Sequence, residues 1–380
     1  MALRNGALAV VLGDMNLVRP LGLAGIRCAV VARPRDRTRF SRFVHEVLDR
    51  DPADDDTDVV ERLERFADRQ DEPPVLIYQN DEHLRLLLRH RERLERRFRI
   101  DLLPDDTVDA LLDKGRFAQL ARRHDLPVPA TEIVDTGGAP PEHLPFPLVL
   151  KPMSRGPAGR WTRSATIAKA ISVEDPAALR ILWEGLADEG VLLAQHLVPG
   201  DETRIESYHA YVDPAGDTAG EFTGRKIRTL PREYGFTTAA EITDADDVRH
   251  LGREIVQALG LTGVVKIDFK RDPSGTLFLL EVNPRFNLWH HPGALAGVNL
   301  PAMVWADLTG SPRPPAGPVR AGVRWCSLDD RRAAKEWGVP AWRWVWFFLR
   351  CEAVSSLAID DPGVVLGRNR RPRPREWSSV

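Results

Sequence analysis

The seven residues Leu279-Leu280-Glu281-Val282-Asn283-Pro284-Arg285 constrain this chain more than any other stretch. Their alternation predicts a strand, with Phe278, Leu280 and Val282 on one face and Glu281, Asn283 and Arg285 on the other. A carboxylate, a carboxamide and a guanidinium in one row cannot enter a dry core unpaired. Oxygen donors of this kind suit a divalent cation and the phosphates attached to it. Pro284 ends the strand, because proline removes a ladder donor. The preceding run, Val264 to Lys270, alternates in the same way, and Asp272-Pro273-Ser274-Gly275 supplies a turn between the two. An antiparallel hairpin puts Lys266, Asp268 and Lys270 on the face of Glu281 and Asn283, with Asp268 diagonal to Glu281. Adjacent carboxylates repel unless a cation lies between them. The plainer alternative is a surface hairpin whose charges face water.

A length of 380 residues predicts two or three domains with ample core. The formal net charge of −2 gives no basis for a nucleic-acid or anionic-membrane partner. Three cysteines, Cys28, Cys326 and Cys351, are few, odd in number and far apart, which fits a reducing compartment and no disulfide or zinc framework. The first residues carry no secretory pattern and no apolar run reaches transmembrane length, so a cytoplasmic location without a membrane span is expected. There are 7 lysines against 46 arginines. Where arginine fills nearly every basic slot, each lysine asks for a reason, which draws attention to Lys114, Lys151 and Lys226.

Residues 7–12 form an apolar run ending in Gly13-Asp14; a helical segment and a second apolar run from Ile26 to Val31 follow. That pattern predicts a β–α–β unit opening a parallel sheet. Gly13 sits where a dinucleotide-binding glycine would, but there is no G-x-G-x-x-G. Val75 to Tyr78 is another buried strand, and the polar Gln79-Asn80-Asp81-Glu82 after it stands where ligands sit on parallel sheets. Helices are expected over 106–125 around Asp113-Lys114-Gly115, then an edge-like strand from Pro145 to Pro152 carrying Lys151. The small, basic loop 153–160, with Arg155, Gly156, Gly159 and Arg160, could wrap phosphates through backbone N–H groups. A strand from Val191 leads into Gln195-His196-Leu197-Val198-Pro199-Gly200-Asp201-Glu202. Strands over 203–212 and 220–229 follow, the second presenting Lys226 and Arg228 on one face, and then a helix over 244–259. Past residue 310, proline and arginine flank the tryptophan-rich segment 337–357, read as a core helix, a helix packed on a partner or a membrane-surface helix. Residues 367–380 are expected to be disordered.

Taken in order, a small α/β domain, Asp-Lys on a helix, Leu-Lys-Pro on a strand, Gln-His-Leu-Val-Pro-Gly-Asp-Glu, Asp268, and Glu-Val-Asn-Pro-Arg resemble the ATP-grasp superfamily over about residues 5 to 310. Within it, the chain is similar to carboxylate–amine ligases related to carbamoyl-phosphate synthase and D-aspartate ligase. The resemblance implies a mixed α/β and α+β architecture, in which two α+β lobes clamp ATP behind a small parallel-sheet α/β domain. It implies boundaries of 1–104 for the N-terminal domain, 105–195 for the small lobe, 196–310 for the large lobe and 311–380 for a C-terminal extension. Lys114 and Lys151 match lysines that meet the ATP phosphates. Gln195, His196 and Leu197 match a hinge whose backbone reads adenine, and Glu202 matches a ribose-binding carboxylate. Asp268, Glu281 and Asn283 match ligands for one or two Mg²⁺ ions, with Mn²⁺ as a substitute. Arg285 matches the arginine beside the transferring phosphoryl group, and Lys226 and Arg228 resemble a second catalytic basic pair. The implied reaction joins a small-molecule carboxylate to an amine through an acyl phosphate, releasing ADP and phosphate. An ATP-grasp phosphotransferase and a non-catalytic ATP-binding protein are the competing expectations. Pro157, between the two loop glycines, departs from the family pattern and stiffens a loop that is often mobile. The tryptophan-rich segment raises a homodimer as a further expectation.

Overall fold

The computed structural model describes residues 6–153, 170–186, 189–315, 317–355, 358 and 360–367. The proposed phosphate loop beyond Met153 and the tail beyond Gly367 therefore lie outside the described residues.

The first domain is a four-stranded parallel sheet in the order β3-β2-β1-β4, built from β1 (Ala9–Leu12), β2 (Cys28–Ala32), β3 (Val44–Asp49) and β4 (Val75–Tyr78). β1, β2 and β4 are apolar and buried throughout, as strands covered on both faces must be. α1 (Met15–Leu23) follows β1 and starts at Asp14, whose carboxylate caps the helix through the backbone N–H of Asn16. α2 (Asp56–Ala67) packs on the sheet, and α3 (Asp81–Arg89) leaves β4 with Asn80 as its cap. After a short α4 (Arg91–Glu95), α5 (Asp105–Leu112) and α6 (Lys114–Arg123) lead out of the domain, with Asp113 capping α6.

The small lobe is a four-stranded antiparallel sheet in the order β5-β8-β6-β7, comprising β5 (Thr131–Asp135), β6 (Leu148–Pro152), β7 (Ile171–Val173) and β8 (Val191–His196), with α7 (Pro176–Gly185) packed on it. β6 is internal and not an edge strand, because Pro145 and Pro147 stay outside it and Leu148 to Leu150 pair on both sides. This lobe has its own core around Leu148, Leu150, Leu179 and Trp183.

The large lobe is a seven-stranded sheet in the order β13-β12-β9-β10-β11-β14-β15. Its strands are β9 (Ile205–Val212), β10 (Thr218–Leu230), β11 (Phe236–Thr243), β12 (Gly263–Arg271), β13 (Leu277–Asn283), β14 (Arg324–Cys326) and β15 (Ala353–Val354). α8 (Asp246–Ala258) covers one face; Gly252 lies where a Cβ would strike the Tyr208 ring at 2.4 Å, so glycine lets helix and sheet close up. α9 (His290–Leu295) and α10 (Leu300–Thr309) join this lobe to the first domain, where the Trp305 indole donates to the Ala7 carbonyl at 3.0 Å.

The boundary expected at residue 310 does not mark off a separate extension. β14 and β15 continue the large sheet; α11 (Asp330–Glu336) packs on β10 and β11 and carries α12 (Ala341–Phe348), while α13 (Pro362–Leu366) packs on the short turn Arg37–Phe40 of the first domain. The Trp325 indole donates to Asn16 at 2.8 Å, and Arg19 pairs with Asp360 at 2.9 Å. α12 turns Trp344 and Phe347 inward and leaves Trp342 and Trp346 exposed. Among the described residues no helix is long and apolar enough to cross a membrane.

His209, His290 and His291 are buried where these units meet, and neither ring nitrogen of His209 or His290 has a hydrogen-bond partner. Burial pulls His290 and His291 down to about 3, with Arg19 adding to the effect at His291. The unfolded chain therefore binds more protons between about pH 6.5 and 3, and this stability is lost as pH falls through that window. On going from pH 7.5 to 5, each of these two histidines is expected to cost about 2 kcal/mol of stability. Urea midpoints of the parent and a His290→Phe variant check this. The variant should lose less stability on acidification, and an identical pH profile would contradict the account.

Candidate active site

The three units enclose a cleft of about 2500 Å³. Lys114, Lys151, Gln195, His196, Leu197, Glu202, Lys226, Asp268, Glu281, Asn283 and Arg285 all line it.

β12 and β13 pair with Asp268 directly opposite Glu281 and Lys266 opposite Asn283, where the alternation predicted a diagonal. The register shifts just beyond, so Phe269 faces Leu279 and Leu280 is the extra residue of a bulge. The bulge corrects the apolar face as well: Leu279 and Val282 enter the core, and Leu280 turns to the cleft. The cleft face continues across β9, where Ser207 lies opposite Asp268 and His209 opposite Lys266.

Asp268 is buried, accepts from the Lys266 ammonium at 2.5 Å, and accepts from the Ser207 hydroxyl. Burial pushes its carboxyl up, but Lys266, Lys226 and the hydrogen bonds outweigh that and hold it well below the usual carboxylate range. Glu281 is exposed to the cleft and accepts from the Asn283 amide at 3.0 Å. The Asn283 carboxamide oxygen accepts from Arg285 at 3.1 Å. Arg285 also donates to the Asp81 carboxylate, and its Nη1 donates to the carbonyls of Gln79 at 3.4 Å and Phe286 at 3.3 Å. β13 is thereby tied to the carboxyl end of β4. Asp81 lay within the polar run noted after that strand; Ser207 and Thr131, which holds Gln195, carried no signal in the sequence.

Two carboxylates and a carboxamide fit a hard cation such as Mg²⁺ by donor chemistry. Glu281 has an oxygen outside its bond to Asn283, whereas both Asp268 oxygens are engaged, so Asp268 would join such a site by releasing Lys266. Among the described residues, no group of three or more histidine, cysteine, aspartate or glutamate side chains gathers as a metal cluster.

Lys151, on β6, donates to the Gln195 carboxamide at 2.8 Å, and Gln195 donates in turn to Thr131 at 2.8 Å. Burial lowers the Lys151 pKa to about 8; Glu281 acts against that and Lys114 with it, which places the lysine in electrostatic reach of β13. Lys114 opens α6 and donates to the Pro152 carbonyl. A phosphate-binding lysine of this pKa is charged below about pH 8 and neutral above it. ATP affinity is therefore expected to fall about tenfold from pH 7 to 9, with a Lys151→Arg variant flat over the same range. Calorimetric titration at the two pH values checks it, and equal slopes in the two proteins would contradict it.

One sequence expectation narrows and one changes. The backbone N–H groups of His196 and Leu197 donate to the carbonyls of Ala130 and Pro147, both at 2.8 Å, so these two donors are engaged within the small lobe. Arg228 does not reach the cleft. A bulge places Lys226 opposite Ala240 and Arg228 opposite Ala239, consecutive residues whose side chains leave opposite faces, so the expected pair diverges. Lys226 enters the cleft, while Arg228 is buried against Asp330.

Comparison with known proteins bears on the fold and on the class of reaction. Residues 216–330 match the family described as ATP-grasp in the biosynthetic pathway with Ter operon. The chain is 26% identical to D-aspartate ligase of Enterococcus faecium over 289 residues, which is 71% of this chain and 68% of that one. It is 31% identical to D-alanine–D-alanine ligase of Halorhodospira halophila over 181 residues, 45% of this chain and 56% of the relative. Among solved structures, N5-carboxyaminoimidazole synthetase from Staphylococcus aureus complexed with ADP superimposes with a TM-score of 0.60 at 13% identity, covering 85% of this chain and 82% of that one. L-amino acid ligase from Bacillus licheniformis does so with a TM-score of 0.57 at 16% identity, covering 80% and 74%. The fold is the ATP-grasp fold with an N-terminal α/β domain.

Proposed function

We propose that this chain, an ATP-grasp protein, is an ATP-dependent ligase that joins a small-molecule carboxylate to an amine through an acyl phosphate. The observation that carries this reading is the row of Glu281, Asn283 and Arg285 facing Asp268 across one ladder, in a cleft that also receives Lys114, Lys151 and Lys226. The ligases among its relatives support the reaction class.

Glu281 and Asn283 would hold Mg²⁺, and Asp268 would join them on releasing Lys266. The ion, when bound, offsets charge on the phosphate oxygens. Lys114 and Lys151 hold those oxygens from the small-lobe side as point charges. Glu202 opens a short 3₁₀ turn after β8 and takes the ribose hydroxyls. Arg285, fixed by Asp81 and Asn283, faces the γ-phosphoryl group. A substrate carboxylate oxygen attacks the γ-phosphorus and ADP leaves. The amine then attacks the acyl carbon, phosphate leaves, and the amine proton passes to solvent or phosphate. The reaction belongs in the cytoplasm, where ATP is available.

ADP release measured over a panel of amino acids and small carboxylates, singly and in pairs, tests the reading. Turnover should require one carboxylate and one amine together. Turnover with an alcohol acceptor and no carboxylate would replace the ligase reading with a kinase.

A further inference from the structure

Lys226 and Arg228 leave opposite faces of β10, and the C-terminal segment grips the far face. Asp330, fully buried at the start of α11, accepts from Arg228 Nε at 2.9 Å and Nη2 at 2.5 Å, from the Thr238 hydroxyl at 2.9 Å and from the Trp344 indole at 3.1 Å. The Phe347 ring lies 4.3 Å below the Arg228 guanidinium. The grip continues along the strand: the Trp337 indole donates to the Thr229 carbonyl at 3.0 Å, and Glu336 accepts from the Arg232 backbone N–H at 2.6 Å. The ladder itself is irregular here, with register shifts on both sides of Arg228. Cross-strand pairing therefore fixes this stretch of β10 less firmly than the rest. Removing one partner of a buried ion pair leaves the other charge uncompensated, and the backbone that carries it moves to find water or a new partner. On the cleft side of the same bulge, Lys226 is close enough to act electrostatically on both Asp268 and Lys270.

We propose that Asp330 is a positioning residue for the cleft: through Arg228 it fixes the bulge at Ile227, and with it the place of Lys226 beside Asp268. The C-terminal segment then sets active-site geometry as well as completing the sheet. The inference rests on the reading of Lys226 as a phosphate-facing group, and two measurements on the full chain separate the two.

The first is calorimetric binding of a non-hydrolysable ATP analogue with Mg²⁺ to Asp330→Asn, Lys226→Ala and the double variant. Asp330→Asn should weaken binding about tenfold when Lys226 is present and less than about twofold in the Lys226→Ala background, since residues that act through one another are not additive. Equal losses in the two backgrounds would overturn the inference. The second is the rate at which an amine-reactive reagent labels Lys226 in the ligand-free protein, read by peptide mass spectrometry. Asp330→Asn should change that rate at least about threefold, with Lys335 on the same helix as Asp330 unchanged. An unchanged Lys226 rate would overturn the positioning role whatever Lys226 does. Wild-type binding by Lys226→Ala would instead remove the phosphate role of Lys226 and leave positioning to be decided by the labelling. Where Asp330→Asn fails to fold, Thr238→Val, which deletes one bond to the same carboxylate, is read in the same two ways.

Discussion

A Glu281→Gln variant is expected to lose about 10²- to 10³-fold in ATP turnover while keeping its fold. The reason is charge and not shape. Glu281 is the one carboxylate of the row and is exposed to the cleft, and among the described residues it accepts from the Asn283 amide. Glutamine preserves that neighbour contact and the volume but removes the negative charge that a divalent ion requires. Because the side chain is exposed, the free energy of unfolding should shift by less than about 0.5 kcal/mol. Mg²⁺ titration of the residual rate adds a second readout: the variant should need a higher concentration for half-maximal activity. A variant that releases ADP as fast as the parent would remove Glu281 from the metal site.

Arg285→Lys is the second large effect. The arginine donates to Asp81, Asn283 and the carbonyls of Gln79 and Phe286, and a single ammonium cannot reproduce that spread of donors. If Arg285 acts on charge that develops only as the phosphoryl group transfers, kcat should fall about 10²-fold with KM for ATP changed by less than about threefold. Asp81→Asn, which loosens the guanidinium without removing it, should give an intermediate loss in kcat. Steady-state kinetics of the two variants check this. A change confined to KM would make Arg285 a ground-state binding group.

How much of this was legible in the sequence differs from strand to strand. The β12–β13 hairpin was, because period-2 alternation and a Pro-Ser-Gly turn are local signals. Its register was not: the bulge at Leu280 leaves no mark in composition, yet it turns the expected diagonal into direct opposition and exchanges Leu280 for Leu279 in the core. The same kind of irregularity separated Arg228 from Lys226. β11 and β14 went unread, since Thr237-Thr238-Ala239-Ala240 shows little alternation and β14 has only three residues. Partners from distant strands were invisible for a different reason. Ser207 beneath Asp268 and Asp81 beneath Arg285 depend on which strands end up as neighbours, which is a property of topology and not of local pattern. Lys266, which the alternation placed on the same face as Asp268, forms a direct ion pair with it. The C-terminal segment looked like an appendage because its composition is unlike the rest, although its strands extend the large sheet.

The central claim is that an acyl phosphate forms in this cleft, and hydroxylamine trapping tests it most directly. With ATP, Mg²⁺, a carboxylate substrate and hydroxylamine in place of the amine, the account predicts a hydroxamate in step with ADP. ADP release without hydroxamate, alongside a stable phosphorylated product, would contradict it.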